Sequence, residues 1–126
     1  MSRVLVVDDD RSVVFMLTEV LHDAGHEVVA ASTSEQALTL STGIDAALVD
    51  LHLQGECGEA LIRRLRERHA TLPVILLTGD ARRGGGTRGE PTASLDIMTK
   101  PLDIDELARV LNRALSRGAG RVDTSQ

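Results

Sequence analysis

The sequence predicts an α/β domain, a doubly wound parallel sheet with helices on both faces. Three observations predict it. Short apolar runs alternate with segments of helical spacing along most of the chain. Polar groups with chemical potential stand just after those runs, where the strands of an open parallel sheet end and their side chains meet in one crevice. The chain has 126 residues, which suits one core and no second domain.

The elements follow in order. Val4 to Val7 is a continuous apolar run, read as a strand buried on both faces. Val14, Leu17, Leu21 and Ala24 recur at helical spacing, and Gly25 stops that helix as its C′ residue. Val28 to Ala31 is a second, weaker strand. Ser32 with Glu35 and Thr33 with Gln36 offer overlapping capping boxes for a short helix through Ala37 and Leu38, ending near Gly43. Ala46 to Val49 is the third strand and Leu51 to Cys57 a loop. Ala60, Leu61 and Leu65 mark the third helix, with Arg63, Arg64, Arg66 and Glu67 on its charged face. Pro73 opens the fourth strand, Val74 to Leu77.

The alternation then demands a helix that the composition resists. Gly84, Gly85, Gly86 and Gly89 fall between Asp80 and Pro91, and each interior glycine costs ~1 kcal/mol relative to alanine. A weak or mobile fourth helix over Ala81 to Thr92 is the expectation. Leu95 to Met98 is the fifth strand. Asp103 with Glu106 caps a last helix carrying Ile104, Leu107, Val110, Leu111 and Ala114, which Gly118 and Gly120 end. The domain is placed at residues 1–118, with 119–126 as a flexible tail.

Composition narrows the function classes. The formal net charge of −5 argues against a nucleic-acid-binding face on this domain, since phosphate contacts need clustered Lys and Arg. No run is long enough to span a membrane, and the N-terminus lacks a signal-peptide pattern. Cys57 is the single cysteine, so no internal disulfide forms, and a reducing cytoplasmic setting is the default. Phe15 is the one aromatic residue, which makes the core aliphatic.

The strand ends should gather Asp8, Asp9, Asp50, Thr78 and Lys100. Three carboxylates without counter-charge repel one another and resist ionisation. A hard divalent cation is the simplest remedy, and such ions also bind phosphoryl groups. The residues thus point to phosphoryl chemistry on an aspartate. Taken singly, each has an ordinary structural explanation: Asp50 as a turn or cap aspartate, Asp10 as the cap of the first helix, Thr78 as a helix cap, Lys100 as a surface lysine.

Taken together, Val6-Val7-Asp8-Asp9-Asp10, Leu48-Val49-Asp50-Leu51 with Gly58 eight residues after Asp50, Pro73 to Thr78, and Thr99-Lys100-Pro101 resemble the receiver domains of two-component response regulators, from Val4 to about Ser116. The resemblance implies a flavodoxin-like five-stranded sheet in the order 2-1-3-4-5. It makes Asp50 the phosphoacceptor, Asp9 a direct Mg²⁺ ligand, Asp8 the holder of metal-bound water, and the main-chain carbonyl of His52 the remaining protein ligand. Lys100 would pair with a phosphoryl oxygen, aimed inward by a cis bond to Pro101. Thr78 would give its hydroxyl to the phosphoryl group, with small Gly79 leaving access. A histidine kinase or histidine phosphotransfer protein would supply the phosphoryl group. The domain would then switch conformation to control a partner or an effector domain, catalysing nothing beyond its own phosphorylation and dephosphorylation.

Asp8-Asp9-Asp10-Arg11-Ser12-Val13 and Ala24-Gly25-His26-Glu27-Val28 look most like receivers of enhancer-binding transcriptional activators. Two positions depart from the family pattern. Gln54 stands where a proline is usual, and Ile97 where the switch aromatic is usual, three residues before the lysine. Asp80 and His52 fall on variable positions that tune phosphorylation and hydrolysis rates. Two other readings remain open from the residues. One is a receiver-like interaction module that does not use phosphorylation. The other is an aspartate-nucleophile phosphohydrolase, whose paired aspartates two apart after the first strand Asp8 and Asp10 would supply.

Overall fold

The computed structural model describes residues 2–53, 56–79 and 95–124. In chain order these form β1 (Arg3–Val7), α1 (Arg11–Asp23), β2 (Glu27–Ala31), α2 (Ser34–Thr39), β3 (Ala46–Asp50), β4 (His52–Leu53), β5 (Glu56–Cys57), α3 (Gly58–Arg68), β6 (Val74–Thr78), β7 (Leu95–Thr99) and α4 (Ile104–Thr124). Five strands pair in the order β2-β1-β3-β6-β7. All four pairings are parallel. This is the expected 2-1-3-4-5 order, since β4 and β5 stand outside that sheet.

The strand sequences explain the layers. Successive side chains of a strand point to opposite faces. Val4, Val6, Ala46, Leu48, Ile75, Leu77 and Met98 pack on one face with Leu17 and Leu21 of α1 and Leu107 and Leu111 of α4. Leu5, Val7, Ala47, Val49, Val74 and Leu76 pack on the other with Ala37 and Leu38 of α2 and Leu61 and Leu65 of α3. An alternating pattern would have left one face wet; continuous apolar runs require cover on both. The single aromatic, Phe15, belongs to neither cluster and is 67% exposed.

Local signals act as read at α1. The Asp10 side chain accepts from the Ser12 and Val13 N–H groups. At the other end Gly25, at φ +91°, lets its own N–H reach the His22 carbonyl and the His26 N–H reach that of Leu21, a Schellman closure. At α2 only half of the Thr33–Gln36 box forms. Thr33 caps the Gln36 N–H, and Gln36 Oε1 reaches back to the Ser32 N–H at 2.9 Å. Ser32 thus sits one residue before the cap, and its expected pairing with Glu35 is replaced. Asp103 accepts the Glu106 N–H at 3.1 Å and caps α4.

Two elements differ from expectation. The stretch from Leu51 to Cys57, expected as a loop, contains the antiparallel pair β4–β5, with His52 opposite Cys57 and Leu53 opposite Glu56. Strands of two residues are too short to show an alternation in sequence. The last helix does not stop at Gly118 or Gly120 but continues to Thr124. A glycine ends a helix when its backbone turns to positive φ, as Gly25 does. Within a formed helix it costs only ~1 kcal/mol, while each further residue still adds a hydrogen bond. The expectation of a weak helix over Ala81 to Thr92 lies outside the described residues, as do Gln54 and Asp80.

Candidate functional site

Register assembles the site. Val7 lies beside Val49, so the turn after β1 stands next to the end of β3. Asp50 is paired with Leu77, which puts Thr78, the last residue of β6, one step beyond the level of Asp50. Thr78 is paired with Thr99, and the Lys100 N–H bonds to the Thr78 carbonyl at 2.7 Å, so Lys100 emerges at the same rim. The Lys100–Pro101 peptide is cis, as expected.

The side chains converge. Carboxylate oxygens of Asp8, Asp9 and Asp50 lie within 4.8 Å of one another. Asp8 and Asp50 are buried and Asp9 is exposed, so the cluster has one wet side. Lys100 Nζ stands 3.0 Å from Asp8 Oδ2 and 3.4 Å from Asp50 Oδ1. The other oxygen of Asp8 accepts the Asp10 N–H at 2.9 Å. Both oxygens of this nearly inaccessible carboxylate are therefore satisfied, as burial of a charge requires.

Burial raises the Asp50 carboxyl above its ordinary value, and the neighbouring Asp8 charge raises it further. The Lys100 ammonium, by charge and hydrogen bond, and a backbone hydrogen bond at His52 pull it back without cancelling the rise. For Lys100, burial would lower the ammonium. The hydrogen bond and charge of Asp8, with those of Asp50, outweigh it, so the group stays protonated above its usual range. One cation thus serves two carboxylates, and the local balance remains negative.

That donor set fits a hard divalent cation. Three carboxylates supply oxygen ligands at short mutual range, and the exposed side at Asp9 leaves room for water, which Mg²⁺ retains when bound. Asp10 does not join them. Its side chain is engaged at the N-terminus of α1, so the Asp8–Asp10 pair needed for an aspartate phosphohydrolase is not assembled. His52 is exposed on β4, adjacent in sequence to the site. Ile97 is 38% exposed on β7, and Pro101 is exposed at the start of the segment into α4.

One residue stood out in the sequence for its spacing but without a reason. Gly58 opens α3, and its N–H bonds to the Leu51 carbonyl at 2.6 Å. A Cβ built on Gly58 would collide with the carbonyl oxygen of Asp50 and fall 2.9 Å from its carbonyl carbon. The backbone of α3 therefore rests directly on the backbone of the central aspartate. Among the described residues no helix is long and apolar enough to cross a membrane.

Comparison with known proteins gives concordant results. A family model described as the response regulator receiver domain matches residues 4–112. The virulence transcriptional regulatory protein PhoP of Salmonella typhimurium is 39% identical over 124 residues, 95% of this chain and 54% of PhoP. The DNA-binding transcriptional regulator NtrC of Klebsiella pneumoniae is 32% identical over 114 residues, 88% of this chain and 24% of NtrC. The crystal structure of NtrX from Brucella abortus in complex with ATP superposes with a TM-score of 0.89 at 27% identity, covering 98% of this chain and 29% of NtrX. The chain thus spans about half the length of PhoP and about a quarter of NtrC.

Proposed function

Because this chain belongs to the response regulator receiver domain family, we propose that Asp50 is its phosphoacceptor and that residues 1–118 form the signalling unit. The observation that carries the reading is the meeting of Asp8, Asp9, Asp50 and Lys100 at the strand ends. An ionised Asp50 oxygen attacks phosphorus as the bond from phosphorus to the donor's imidazole nitrogen breaks, leaving an aspartyl phosphate. Asp50 has to be ionised to attack, and Lys100 opposes the burial and the Asp8 charge that favour its neutral form. Lys100, 3.4 Å from Asp50, is close enough to shift from carboxylate to phosphoryl oxygen with a small movement. Thr78, buried at the adjoining strand end, offers the hydroxyl that follows the phosphoryl group.

Asp8, Asp9 and Asp50, with the main-chain carbonyl of His52, would hold Mg²⁺. When bound, the ion supplies positive charge against the phosphoryl oxygens. The donor is a histidine kinase or histidine phosphotransfer protein in the cytoplasm, and the output is a change in the balance of two conformations that a partner or an effector domain reads. With Ile97 in place of an aromatic ring, that change does not run through an inward-swinging ring in the family's usual form. The domain itself turns over no substrate beyond its own aspartyl phosphate.

Intact-mass measurement after incubation with a small phosphodonor and Mg²⁺ tests the assignment. One phosphoryl adduct is expected in the wild type, and none in Asp50→Asn or under chelation. An undiminished adduct in Asp50→Asn would transfer the acceptor role elsewhere.

A further inference from the structure

Asp10 stands beside the acidic cluster without joining it, yet its backbone touches the cluster. The Asp10 N–H donates to Asp8 Oδ1 at 2.9 Å. A carboxylate that accepts from the N–H two residues on closes an Asx-turn, and the middle residue of this one is Asp9. The motif repeats at once. Asp10 Oδ1 accepts from the Ser12 N–H at 2.9 Å and from the Val13 N–H at 3.5 Å. Asp10 is thus a link with two ends. Its side chain grips the first turn of α1, and its N–H grips Asp8. Buried Leu17 and Leu21 fix α1 to the sheet, so the outer end of the link is a firm anchor.

The link matters because the other hold on Asp8 is a movable one. Among the described residues, the Asp8 carboxylate accepts hydrogen bonds from two groups, the Asp10 N–H and Lys100 Nζ. Lys100 is the group that shifts to a phosphoryl oxygen once Asp50 is loaded. The Asp10 N–H belongs to the backbone and cannot follow, so it is the contact that stays on Asp8. A helix end stripped of its capping side chain leaves N–H groups of its first turn unsatisfied. That loosens the turn, and Asp9 with it. Mg²⁺ demands near-ideal octahedral geometry, so disorder at Asp8 and Asp9 weakens its binding.

We propose that Asp10 is a positioning residue for the cation site. By capping α1 it holds its own N–H on Asp8 and keeps Asp9, at the middle of the turn, in place to ligate. The inference rests on the reading of Asp8, Asp9 and Asp50 as the Mg²⁺ site. Asp10 acts through the turn, not as a ligand and not by its charge.

Calorimetric Mg²⁺ titration of the wild type, Asp10→Asn, Asp10→Ala and Thr33→Ala tests it, with melting followed by far-ultraviolet circular dichroism. Asparagine caps a helix as well as aspartate does, and alanine caps poorly. Both lack the charge, so the comparison of these two isolates the cap. Asp10→Ala should bind Mg²⁺ roughly three- to tenfold more weakly than Asp10→Asn, at or below the low end for a metal site that loses an outer-shell support. Thr33→Ala strips the side-chain cap from α2. It should lower the melting temperature and leave Mg²⁺ affinity at the wild-type value. Equal affinity in Asp10→Asn and Asp10→Ala, or a loss in Thr33→Ala as large as that in Asp10→Ala, would overturn the inference while the cation site stands. No Mg²⁺ binding by the wild type would overturn the cation site and the inference together.

Discussion

At the rim where the strands begin, Arg3 Nη2 lies 3.5 Å from Glu27 Oε2, and the two side chains are 44% and 59% exposed. At the rim where they end, Lys100 Nζ lies 3.0 Å from Asp8 Oδ2, with exposures of 25% and 0%. Each is one cation facing a carboxylate on one sheet. The first is screened by water and salt, and pairs of that sort contribute about 0–1 kcal/mol. The second cannot be separated cheaply, because Asp8 would be left charged without a partner. Depth, not pairing, therefore decides which rim can hold a charge imbalance, and the deep rim holds two buried carboxylates on one ammonium.

The sharpest way to break this contrast is to remove the deep cation. Lys100→Met should cost on the order of 2–3 kcal/mol at neutral pH, somewhat under the range for a fully buried pair because part of Lys100 remains in water. Urea unfolding reads it. The cost should shrink in acid as Asp50 takes up a proton, and the variant should also lose the phosphoryl adduct. A cost independent of pH would show that the contact is packing, not charge.

Gly58→Ala should come next. The new methyl meets backbone rather than a side chain that can turn aside, so α3 must shift, at about 1–3 kcal/mol. Phosphorylation should slow with it, because the shift moves Asp50. Full activity together with lowered stability would separate the helix contact from the chemistry.

Asp50→Asn should run the other way. A carboxyl raised in the folded state binds more protons there than in the unfolded chain, between 3.8 and its raised value. Stability therefore falls as pH rises through that window, and above it the fold carries a penalty that asparagine removes. The variant should be more stable than the wild type at neutral pH, with the gain disappearing below 3.8. Thermal melts at several pH values check both sign and window. Lys100 acts in the opposite sense. Its raised value gives stability that is complete below 10.5 and lost only at higher pH.

Glu27→Gln at the shallow rim should have the smallest effect, within about 0.5 kcal/mol. That difference should fade in salt and leave phosphorylation untouched. An effect comparable to that of Lys100→Met would erase the distinction between the rims.

The sequence was legible wherever one physical rule dominated. Runs such as Val74 to Leu77 can only be covered strands, and Asp8, Asp9, Asp50 and Lys100 stand where such strands end. The strand order came from resemblance, not periodicity, because alternation alone does not say which strands are neighbours. What stayed hidden were relations between backbones. Nothing in the identity of Gly58 reveals that it rests on the Asp50 carbonyl. The β4–β5 pairing was invisible because two-residue strands have no pattern. Asp10 was legible as a cap but not as the donor of an N–H to Asp8. Lys100 was anticipated as a partner for a phosphoryl oxygen, and its closest partner here is Asp8.

The aliphatic interior has an optical consequence. With no tryptophan, no tyrosine and the one phenylalanine on the surface, the protein has almost no near-ultraviolet signal of its own. Ordinary fluorescence melts and stopped-flow traces would see nothing when it folds or binds an ion. That silence is an opportunity. Ile97 is partly exposed and sits three residues before Lys100. An indole placed there by Ile97→Trp would emit against a dark background, so any change in its spectrum on adding Mg²⁺ or a phosphodonor would come from that one position.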